Sequence, residues 1–364
     1  MILHLNTAHT WRGGEQQLFY LALGLQKQKF RQLVVGQPGS ELEKKCLASA
    51  VPFQPVPIKS ELDLKAVSLL GEIMQQNSVK IIHTHTARAH SIGLLLKWKH
   101  PGAFLVVSRR VDFHINKNFL SKLKYTSSLN DIFLTVSRKI RDILIADGVS
   151  SDKIMTVHSG IDLKRFSRLA SAAALKKEFQ IKDNEIIIGN IAALVDHKDQ
   201  RSLIQAVAKM KTKIPFRLFI LGEGELENEL KALVQGLHLE DKIVFTGFRT
   251  EITAFLNLFD IFALTSKEEG LGTTVLDAMA SGLPVVATRG GGIPEMLIDG
   301  DGAYLTDVAD SDSIAAALDS LAGDKKLREK FGQSNKEYVK RFSVEETVRK
   351  TIFVYQSFLN RRNK

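Results

Sequence analysis

The chain has 364 residues, of which 44% are hydrophobic and 25% charged, the composition of a soluble globular protein. This length favours two domains over one compact core. Cys46 is the only cysteine, which excludes a disulfide within the chain and fits a reducing cytoplasm. No window approaches the roughly 18 apolar residues that span a bilayer. The segment Met1–Asn6 is expected to be a first strand rather than a signal peptide.

The net charge of +10 arises from 50 Lys and Arg against 40 acidic residues. Such an excess suits nucleic acid, an anionic membrane surface or phosphorylated substrates. The basic residues are spread along the chain and are not interleaved with aromatics, as a base-stacking surface would require. Nucleic acid is therefore not expected, whereas membrane-surface docking and a merely solvated surface both stay open.

Short apolar runs alternate with amphipathic stretches from end to end. The strands predicted in the first half are Ile2–Asn6, Gln32–Gly36, Phe53–Val56, Ile81–Thr84, Phe104–Ser108, Ile132–Val136 and Ile154–Val157. The helices predicted between them include Gln16–Gln28, Leu62–Gln76 and Ala87–Trp98. The strands predicted in the second half are Ile186–Ile191, Arg217–Leu221, Ile243–Phe245, Ile261–Leu264 and Val285–Ala287. The helices there include Arg201–Lys211, Leu226–Gln235, Thr273–Ala280 and Ser311–Ala322.

This alternation predicts an α/β fold with two doubly wound parallel sheets. A stretch rich in Ala, Ser, Lys and Arg, Asp162–Lys182, separates the two series. We therefore predict domains over residues 1–165 and 166–343. A last helix is predicted over Val344–Leu359, and residues 344–364 are expected to join the first domain.

The most informative segment is Thr265–Pro284, where a strand leads into a glycine-bearing loop and then a helix. Gly270 and Gly272 let the backbone approach a ligand closely. The helix, which begins near Thr273, presents unpaired N–H groups and a positive dipole end. This combination predicts a diphosphate site.

Two acids flank the same helix start, Glu269 before the loop and Asp277 about one turn into the helix. A carboxylate repels phosphate, so these acids are better suited to accept hydrogen bonds from sugar or ribose hydroxyls. The alternative is that Asp277 only complements the helix dipole and Glu269 is a solvated loop residue.

Two further loops follow predicted strands. Lys198 lies between a strand and a helix from about Asp199, where a lysine can act as a point charge on phosphate or be merely solvated. Gly13 and Gly14 precede a helix predicted to begin near Glu15, so they form either an anion-binding loop or a plain turn. Neither half carries a full G-x-G-x-x-G, which disfavours a nicotinamide dehydrogenase.

Histidines alternate along one predicted strand end, His83 and His85, so both rings can face one side. Metal binding needs more ligands, and neither H-E-x-x-H nor Cys-x-x-Cys accompanies them, so no metal site is expected. A role in a cleft and ordinary packing both stay open for these residues.

These residues together resemble the family 4 retaining glycosyltransferases. The family's donor signature, a Glu, seven residues and a second Glu, is similar to Glu269–Asp277 within the longer segment Glu269–Ala287. Further matching segments are Gly290–Glu295, Gly222–Gly224, Phe245–Phe248 and His158–Asp162.

The resemblance implies the GT-B fold, two Rossmann-like domains facing each other across a cleft, with an acceptor-binding first domain and a donor-binding second one. It implies transfer, with retention, of a sugar from a nucleoside-diphosphate sugar to a glycan or lipid-linked acceptor in cell-surface polysaccharide or lipopolysaccharide biosynthesis. No metal or other cofactor is expected. The location implied is the cytoplasm, with peripheral docking on the inner face of the cell membrane as an open possibility. An epimerase or phosphorylase of the same fold is the alternative.

The resemblance also assigns roles to residues. Glu269 would bind hydroxyls of the transferred sugar, Asp277 the ribose, and Lys198 the diphosphate. The implied catalytic residues are Glu269, Lys198 and His85. The implied donor-binding residues are Gly13, Gly14, Gly270, Leu271, Gly272, Thr273, Thr274 and Asp277.

Three departures from the family pattern stand out. The second acid is Asp277 instead of Glu, and Ala193 stands where an Arg usually precedes the lysine by five residues. The candidates to replace that cation are Arg109, Arg110 and Arg289. A histidine common after the fifth strand is also missing from Val107–Asp112, which leaves His85, His114 or none in its role.

Overall fold

The computed structural model describes residues 1–115 and 118–361. The chain divides into two compact units, one formed by Met1–Gly160 with the segment from Val344 on, the other by Ile161–Ser343. The chain passes between them after residue 160, five residues earlier than predicted. The reason is local, because the Ile161 N–H donates to the Phe342 carbonyl at 2.9 Å and so ties Ile161 to the second unit.

The first unit is built on a parallel sheet whose order, within the described residues, is β3-β2-β1-β4-β5-β6-β7. Its strands are β1 Ile2–Leu5, β2 Gln32–Gly36, β3 Phe53–Pro55, β4 Ile81–Thr84, β5 Phe104–Arg109, β6 Ile132–Thr135 and β7 Ile154–Thr156. The helices that follow them are α1 Gly13–Lys27, α2 Glu41–Ala48, α3 Leu64–Gln76, α4 Ala87–Lys99, α5 Phe119–Thr126 and α6 Arg138–Ala146. The strand order reverses between β1 and β4, so loops following these strands part there and leave a crevice.

The second unit repeats this plan, with the sheet order β10-β9-β8-β11-β12-β13 in the described part of the chain. Its strands are β8 Ile186–Ile191, β9 Phe216–Leu221, β10 Ile243–Gly247, β11 Ile261–Leu264, β12 Val285–Thr288 and β13 Ala303–Thr306. Its helices are α7 Ala173–Glu178, α8 Gln200–Lys209, α9 Glu227–Gly236, α10 Ile252–Leu258, α11 Thr273–Ala280, α12 Ser311–Gly323 and α13 Lys325–Tyr338. The order reverses between β8 and β11.

Buried strands and capped helices explain why these sequences fold this way. The central strands are continuous apolar runs, which suits sheets covered by helices on both faces. Thr86 caps α4 by accepting from the Ala89 N–H at 3.3 Å. Gly93 lets that helix approach the sheet, because a Cβ there would lie 2.7 Å from Thr84 Cγ2.

The last helix, α14 (Val344–Arg361), returns to the first unit. It packs on α1 at Gly24, where an added Cβ would lie 2.4 Å from Val348 Cγ2. Tyr355 is fully buried, and its hydroxyl lies 2.6 Å from His83 Nδ1. The core of the first unit is therefore completed by the C-terminal segment of the chain.

The predicted strands are all present, with ends that differ by at most two residues. The prediction omitted β13, four residues that follow a polar turn, and it named none of α2, α5, α6, α7, α10 and α13. The start predicted for α1 near Glu15 is wrong by two residues, because Gly13 and Gly14 already form its first turn. Among the described helices, none is both long and apolar enough to cross a bilayer.

Candidate functional site

The reversal point of the second unit brings Lys198 and Glu269 together. Lys198 ends a short 3-10 turn after β8, and Glu269 lies in the loop after the neighbouring strand β11. Lys198 Nζ donates to Glu269 Oε2 in an ion pair whose side chains are only 16% and 13% exposed. Parallel strands that end at one edge of a sheet thus place two residues 71 positions apart in direct contact.

Backbone contacts fix these two loops to each other. The Lys267 N–H donates to the His197 carbonyl at 2.8 Å, and Thr265 Oγ1 donates to the Asp199 carbonyl at 2.9 Å. Asp199 adopts a left-handed conformation, with φ of 49°, immediately before α8. The ion pair is therefore held on two loops that are hydrogen-bonded to each other.

A glycine-rich turn after β12 supports the loop that carries Glu269. A Cβ on Gly290 would lie 2.1 Å from the Ser266 carbonyl oxygen, and one on Gly291 would lie 2.1 Å from the Glu269 carbonyl oxygen. The Gly292 N–H donates to the same Glu269 carbonyl at 2.8 Å. Only glycine allows this approach. The sequence marked these glycines as a family match without indicating this supporting role.

The helix start next to Glu269 has the geometry expected of an anion site. Gly272 precedes α11 with φ of +90°, and a Cβ there would lie 3.1 Å from Glu269 Cγ. Thr273 and Thr274 form the first turn of α11, where backbone N–H groups point away from the helix. The positive end of the helix dipole therefore lies close to the Lys198–Glu269 pair.

Asp277 occupies the next turn of α11 and differs from Glu269 in its surroundings. Part of its side chain is exposed, but Oδ1 is buried and has no hydrogen-bond partner among the described residues. Burial raises the pKa of Asp277 to about 7, although the charge of Arg165 acts in the opposite direction. A buried carboxyl without a partner is costly, so Asp277 is suited to accept a hydrogen bond from a ligand hydroxyl.

The position that usually holds an arginine, Ala193, contributes its backbone instead. Its carbonyl oxygen accepts from Gln200 Nε2 at 3.0 Å. Arg289 pairs with Asp299 at 2.7 Å. Arg109 is buried and donates to the Tyr125 hydroxyl at 2.8 Å. These two candidate cations are thus already engaged in structural contacts.

The reversal point of the first unit carries three buried histidines, one on β1 and two at the end of β4. The His83 and His85 ring centroids are 4.1 Å apart, and His4 Nδ1 lies 3.2 Å from His85 Nε2. Burial lowers the pKa of His4 to about 3 and the pKa of His83 and His85 well below the usual range. All three imidazoles are therefore neutral near pH 7.

Hydrogen bonds engage both ring nitrogens of His83 and of His85. Arg110 Nη2 lies 3.4 Å from His85 Nδ1, and His83 Nε2 lies 2.8 Å from Ser108 Oγ. One nitrogen from each histidine lies within 4.8 Å of the others, a spacing compatible with a metal. A cation there would displace existing hydrogen bonds and stand beside the Arg110 guanidinium. His114, the other candidate histidine, binds Asp147 Oδ1 at 2.9 Å through Nδ1.

Gly13 and Gly14 also lie at this edge of the first unit. The Glu15 carboxylate accepts from the Arg12 N–H at 3.0 Å and caps the start of α1. A Cβ on Gly14 would stand 3.7 Å from Arg110 Cδ. The two glycines and the Arg110 guanidinium are thus neighbours within one unit.

Comparison with known proteins agrees with this architecture. The family model described as Glycosyltransferase Family 4 matches residues 11–165, and the model described as Glycosyl transferases group 1 matches residues 171–338. This chain belongs to the family 4 glycosyltransferases. As a family 4 member it is a glycosyltransferase, and its two parallel-sheet units are those of the GT-B fold.

Individual proteins that resemble this chain extend the similarity over most of its length. The N-acetyl-alpha-D-glucosaminyl L-malate synthase of Bacillus anthracis is 28% identical over 82% of this chain and 80% of its own length. The UDP-Gal:alpha-D-GlcNAc-diphosphoundecaprenol alpha-1,3-galactosyltransferase of Escherichia coli is 24% identical over 80% and 79%. The crystal structure of Anabaena HepE in complex with UDP-glucose superimposes with a TM-score of 0.85 at 20% identity, over 98% of this chain and 99% of that one.

Proposed function

We propose that this glycosyltransferase moves a sugar, with retention of its anomeric configuration, from a nucleoside-diphosphate sugar to a glycan or lipid-linked acceptor. The observation that carries the proposal is the Lys198–Glu269 ion pair at the reversal point of the second sheet, beside the N-terminus of α11. A cation and free N–H groups suit a diphosphate, and the adjoining carboxylates suit hydroxyls. The solved complex of HepE with UDP-glucose supports the same class of donor.

The ion pair suggests how the donor is received. Without a ligand, Lys198 and Glu269 neutralise each other in a mostly buried position. An arriving diphosphate offers Lys198 two negative charges, so the lysine exchanges its partner and Glu269 is released. The freed carboxylate then accepts hydrogen bonds from hydroxyls of the transferred sugar. In this proposal, binding of the diphosphate to Lys198 is also the step that makes Glu269 available to the sugar.

Asp277 supplies the third contact. We assign its unpartnered Oδ1 to a ribose hydroxyl of the donor, which would satisfy the buried carboxyl and favour its charged form. The aspartate is one methylene shorter than the usual glutamate. We therefore expect the ribose either to lie closer to α11 than in relatives with glutamate or to be reached through a water.

The chemistry breaks the bond between the anomeric carbon and the diphosphate. Negative charge then develops on the leaving phosphate, where the Lys198 ammonium and the N–H groups of Thr273 and Thr274 stabilise it. Glu269 is occupied by Lys198 or by sugar hydroxyls, so it is not poised as a covalent nucleophile. We propose attack by the acceptor from the leaving-group face, with the leaving phosphate taking the acceptor's proton. Inversion of the anomeric centre in the product would contradict this mechanism.

The proposed reaction needs no metal ion, because Lys198 and the α11 N-terminus carry the charge that a metal would otherwise neutralise. We expect turnover to change by no more than about twofold when EDTA is added, because removing metal ions would take away no contact with the transition state. A large loss that Mg²⁺ or Mn²⁺ restores would contradict the proposal.

The proposed acceptor rests on a similar protein and on the charge of this chain. The name of the Escherichia coli relative describes transfer to a diphosphoundecaprenol-linked sugar, a lipid-linked glycan precursor. A net charge of +10 suits an anionic acceptor of this kind. We therefore propose a role in cell-surface polysaccharide or lipopolysaccharide biosynthesis, at the cytoplasmic side of a membrane.

A thermal-shift screen tests the donor site first. Uridine, guanosine and adenosine diphosphates and their sugar conjugates are compared, and we expect one base to raise the Tm more than the others. The same donor is then incubated alone and with lipid-linked acceptors. Conversion of the donor without an acceptor would point to an epimerase, and no shift with any nucleotide would overturn the proposed site.

A further inference from the structure

An apolar surface on the first unit stands outside the site described above. Three large apolar side chains project from α5, where Phe119 is 78%, Leu120 71% and Leu123 59% exposed. They lie at positions i, i+1 and i+4, which share one side of a helix. A soluble protein rarely exposes several large apolar side chains together without a partner for them.

The outward direction of these side chains is set by the packing of α5. Asn118 caps the helix and accepts from the N–H groups of Leu120 and Ser121 at 2.9 and 3.4 Å. On the opposite side Tyr125 is buried and stacks on Phe133, with ring centroids 5.7 Å apart. The helix is anchored through its inner side, so its apolar outer side is a fixed feature of the fold.

Neighbouring segments enlarge the surface. Lys124 at the end of α5 donates to Glu61 Oε2 at 3.2 Å, which brings in the exposed Leu62 and Leu64 at the start of α3. The Arg109 guanidinium contacts the rings of both Tyr125 and Phe113, so the half-exposed Phe113 lies beside α5 as well. We call the set formed by Leu62, Leu64, Phe113, Phe119, Leu120 and Leu123 the α5 surface.

Lysines outnumber the acids that border the α5 surface. Lys122 on α5 and Lys59 and Lys65 on the adjoining segment are exposed. The nearest acids are Glu61, which pairs with Lys124, and Asp63, which caps α3 through the Ala66 N–H. Half-buried Asp112, next to Phe113 in sequence, offsets one of the lysines. Large apolar side chains bordered by lysines are the pattern of a segment that lies in the interface of an anionic bilayer.

We propose that the α5 surface docks this protein on an anionic lipid bilayer, with Phe119, Leu120 and Leu123 inserted among the acyl chains. Lys122 and Lys65 then face the lipid headgroups. The choice of a bilayer over a protein partner follows from this charge complementarity, together with the overall charge of +10. The proposal does not depend on the donor site, because the α5 surface shares none of the residues assigned to donor binding.

Vesicle sedimentation of the full chain tests the proposal. We expect binding to vesicles of phosphatidylglycerol and phosphatidylcholine that weakens with salt, and much weaker binding to phosphatidylcholine alone. The double variant Phe119→Ser with Leu120→Ser should bind at least about tenfold more weakly, since two inserted side chains are lost. The variant Lys65→Gln with Lys122→Gln should lose about fivefold for each lysine.

Matched controls come from elsewhere on the chain. Leu47→Ser with Phe353→Ser removes one leucine and one phenylalanine, each 63% exposed. Lys326→Gln with Lys330→Gln removes two exposed lysines of α13. Both controls should bind vesicles like the unmodified chain. A cooperative thermal transition in every variant, with a Tm near that of the unmodified chain, checks that each is folded.

Three results would overturn the proposal. The unmodified chain does not bind anionic vesicles, or the Phe119 and Leu120 variant binds them as well as its control, or that variant converts a dimer into a monomer in gel filtration. The last outcome would assign the α5 surface to a second copy. If the donor raises no Tm while vesicle binding follows the predicted pattern, the proposed function fails and the docking surface stands.

Discussion

The two units have the same central strand order but carry opposite kinds of chemistry at the point where that order reverses. In the second unit, Lys198 and Glu269 form an ion pair that a charged ligand can replace. In the first unit, His4, His83 and His85 are neutral, buried and hydrogen-bonded to their neighbours. The strand order therefore gives each sheet an edge where a ligand can bind, and the side chains at that edge determine its chemistry.

The difference lies in how each group would respond to a ligand. Replacing one partner of an ion pair by a diphosphate costs little electrostatic free energy, since new charge contacts replace the old one. A buried hydrogen-bonded imidazole loses its partner without replacement, at a cost of about 1–3 kcal/mol. We therefore expect the residues at the reversal point of the second unit to control turnover. Those at the reversal point of the first unit should control mainly stability.

Lys198→Ala should give the largest effect. The leaving diphosphate loses its closest cation, and we expect kcat to fall by about a hundredfold to a thousandfold. The matched control is Lys267→Ala at the same edge, where an exposed ion pair with Asp196 is removed. That control should change kcat little, because exposed pairs contribute at most about 1 kcal/mol. Near-normal turnover of Lys198→Ala would refute the assignment.

Gly291→Ala tests the support beneath Glu269. The new Cβ would lie 2.1 Å from the Glu269 carbonyl oxygen, so the loop has to move. We expect kcat/KM to fall by about a hundredfold, the scale of a displacement of about 1 Å in a site. Gly300→Ala is the control, because its φ is also positive while its Cβ meets nothing within 4 Å. Equal losses in both variants would assign the effect to backbone strain.

Asp277 should make donor binding depend on pH. Its pKa of about 7 means that the free protein carries a neutral carboxyl below this value, and binding of a ribose hydroxyl favours the charged form. We expect donor affinity to rise by about tenfold from pH 6 to pH 8, the change in the charged fraction for one group, and to be flat in Asp277→Asn. Calorimetry with the sugar conjugate, whose phosphates do not titrate in this range, measures it. Parallel profiles would contradict the role.

The same carboxyl predicts a stability effect of defined sign. Because the pKa is raised in the folded state, that state binds the proton more tightly, and the free energy of unfolding falls as pH rises from about 4 to about 7. Asp277→Asn should therefore raise the Tm of the ligand-free protein at pH 8 and alter it much less near pH 4. A lowered Tm at pH 8 would contradict the burial argument.

Tyr355→Phe should give the smallest effect and confine it to stability. His83 Nδ1 loses its hydroxyl partner, at a cost of about 1–2 kcal/mol, or roughly 2–6 °C in Tm. Donor affinity should not change. Tyr304→Phe is the control, since the contact of the Tyr304 hydroxyl within the described residues is an exposed one, 3.4 Å from Ser320 Oγ. A selective loss of turnover in Tyr355→Phe would give the histidines a catalytic part.

Periodicity predicted the fold because each strand is a local apolar run between turn residues. The sequence did not predict β13, because its four residues alternate in polarity only weakly. It did not predict α13 either, because the surface of that helix is mostly charged. The glycine loop and the acids Glu269 and Asp277 were identifiable by spacing within one segment. The contact of Lys198 with Glu269 needed the sheet order, and the raised pKa of Asp277 needed its burial, neither of which is written in a local pattern.

The hydrogen bond between His83 and Tyr355 joins residues 272 positions apart in the chain. The second unit is one continuous segment, whereas the first has to wait for α14 before its core is complete. During synthesis the N-terminal strands therefore emerge long before the helix that covers them, and the later unit can finish folding first. Loss of the last helix would uncover the apolar side that normally receives Val354, Tyr355 and Phe358, and the first unit would become prone to aggregation while the second stayed intact.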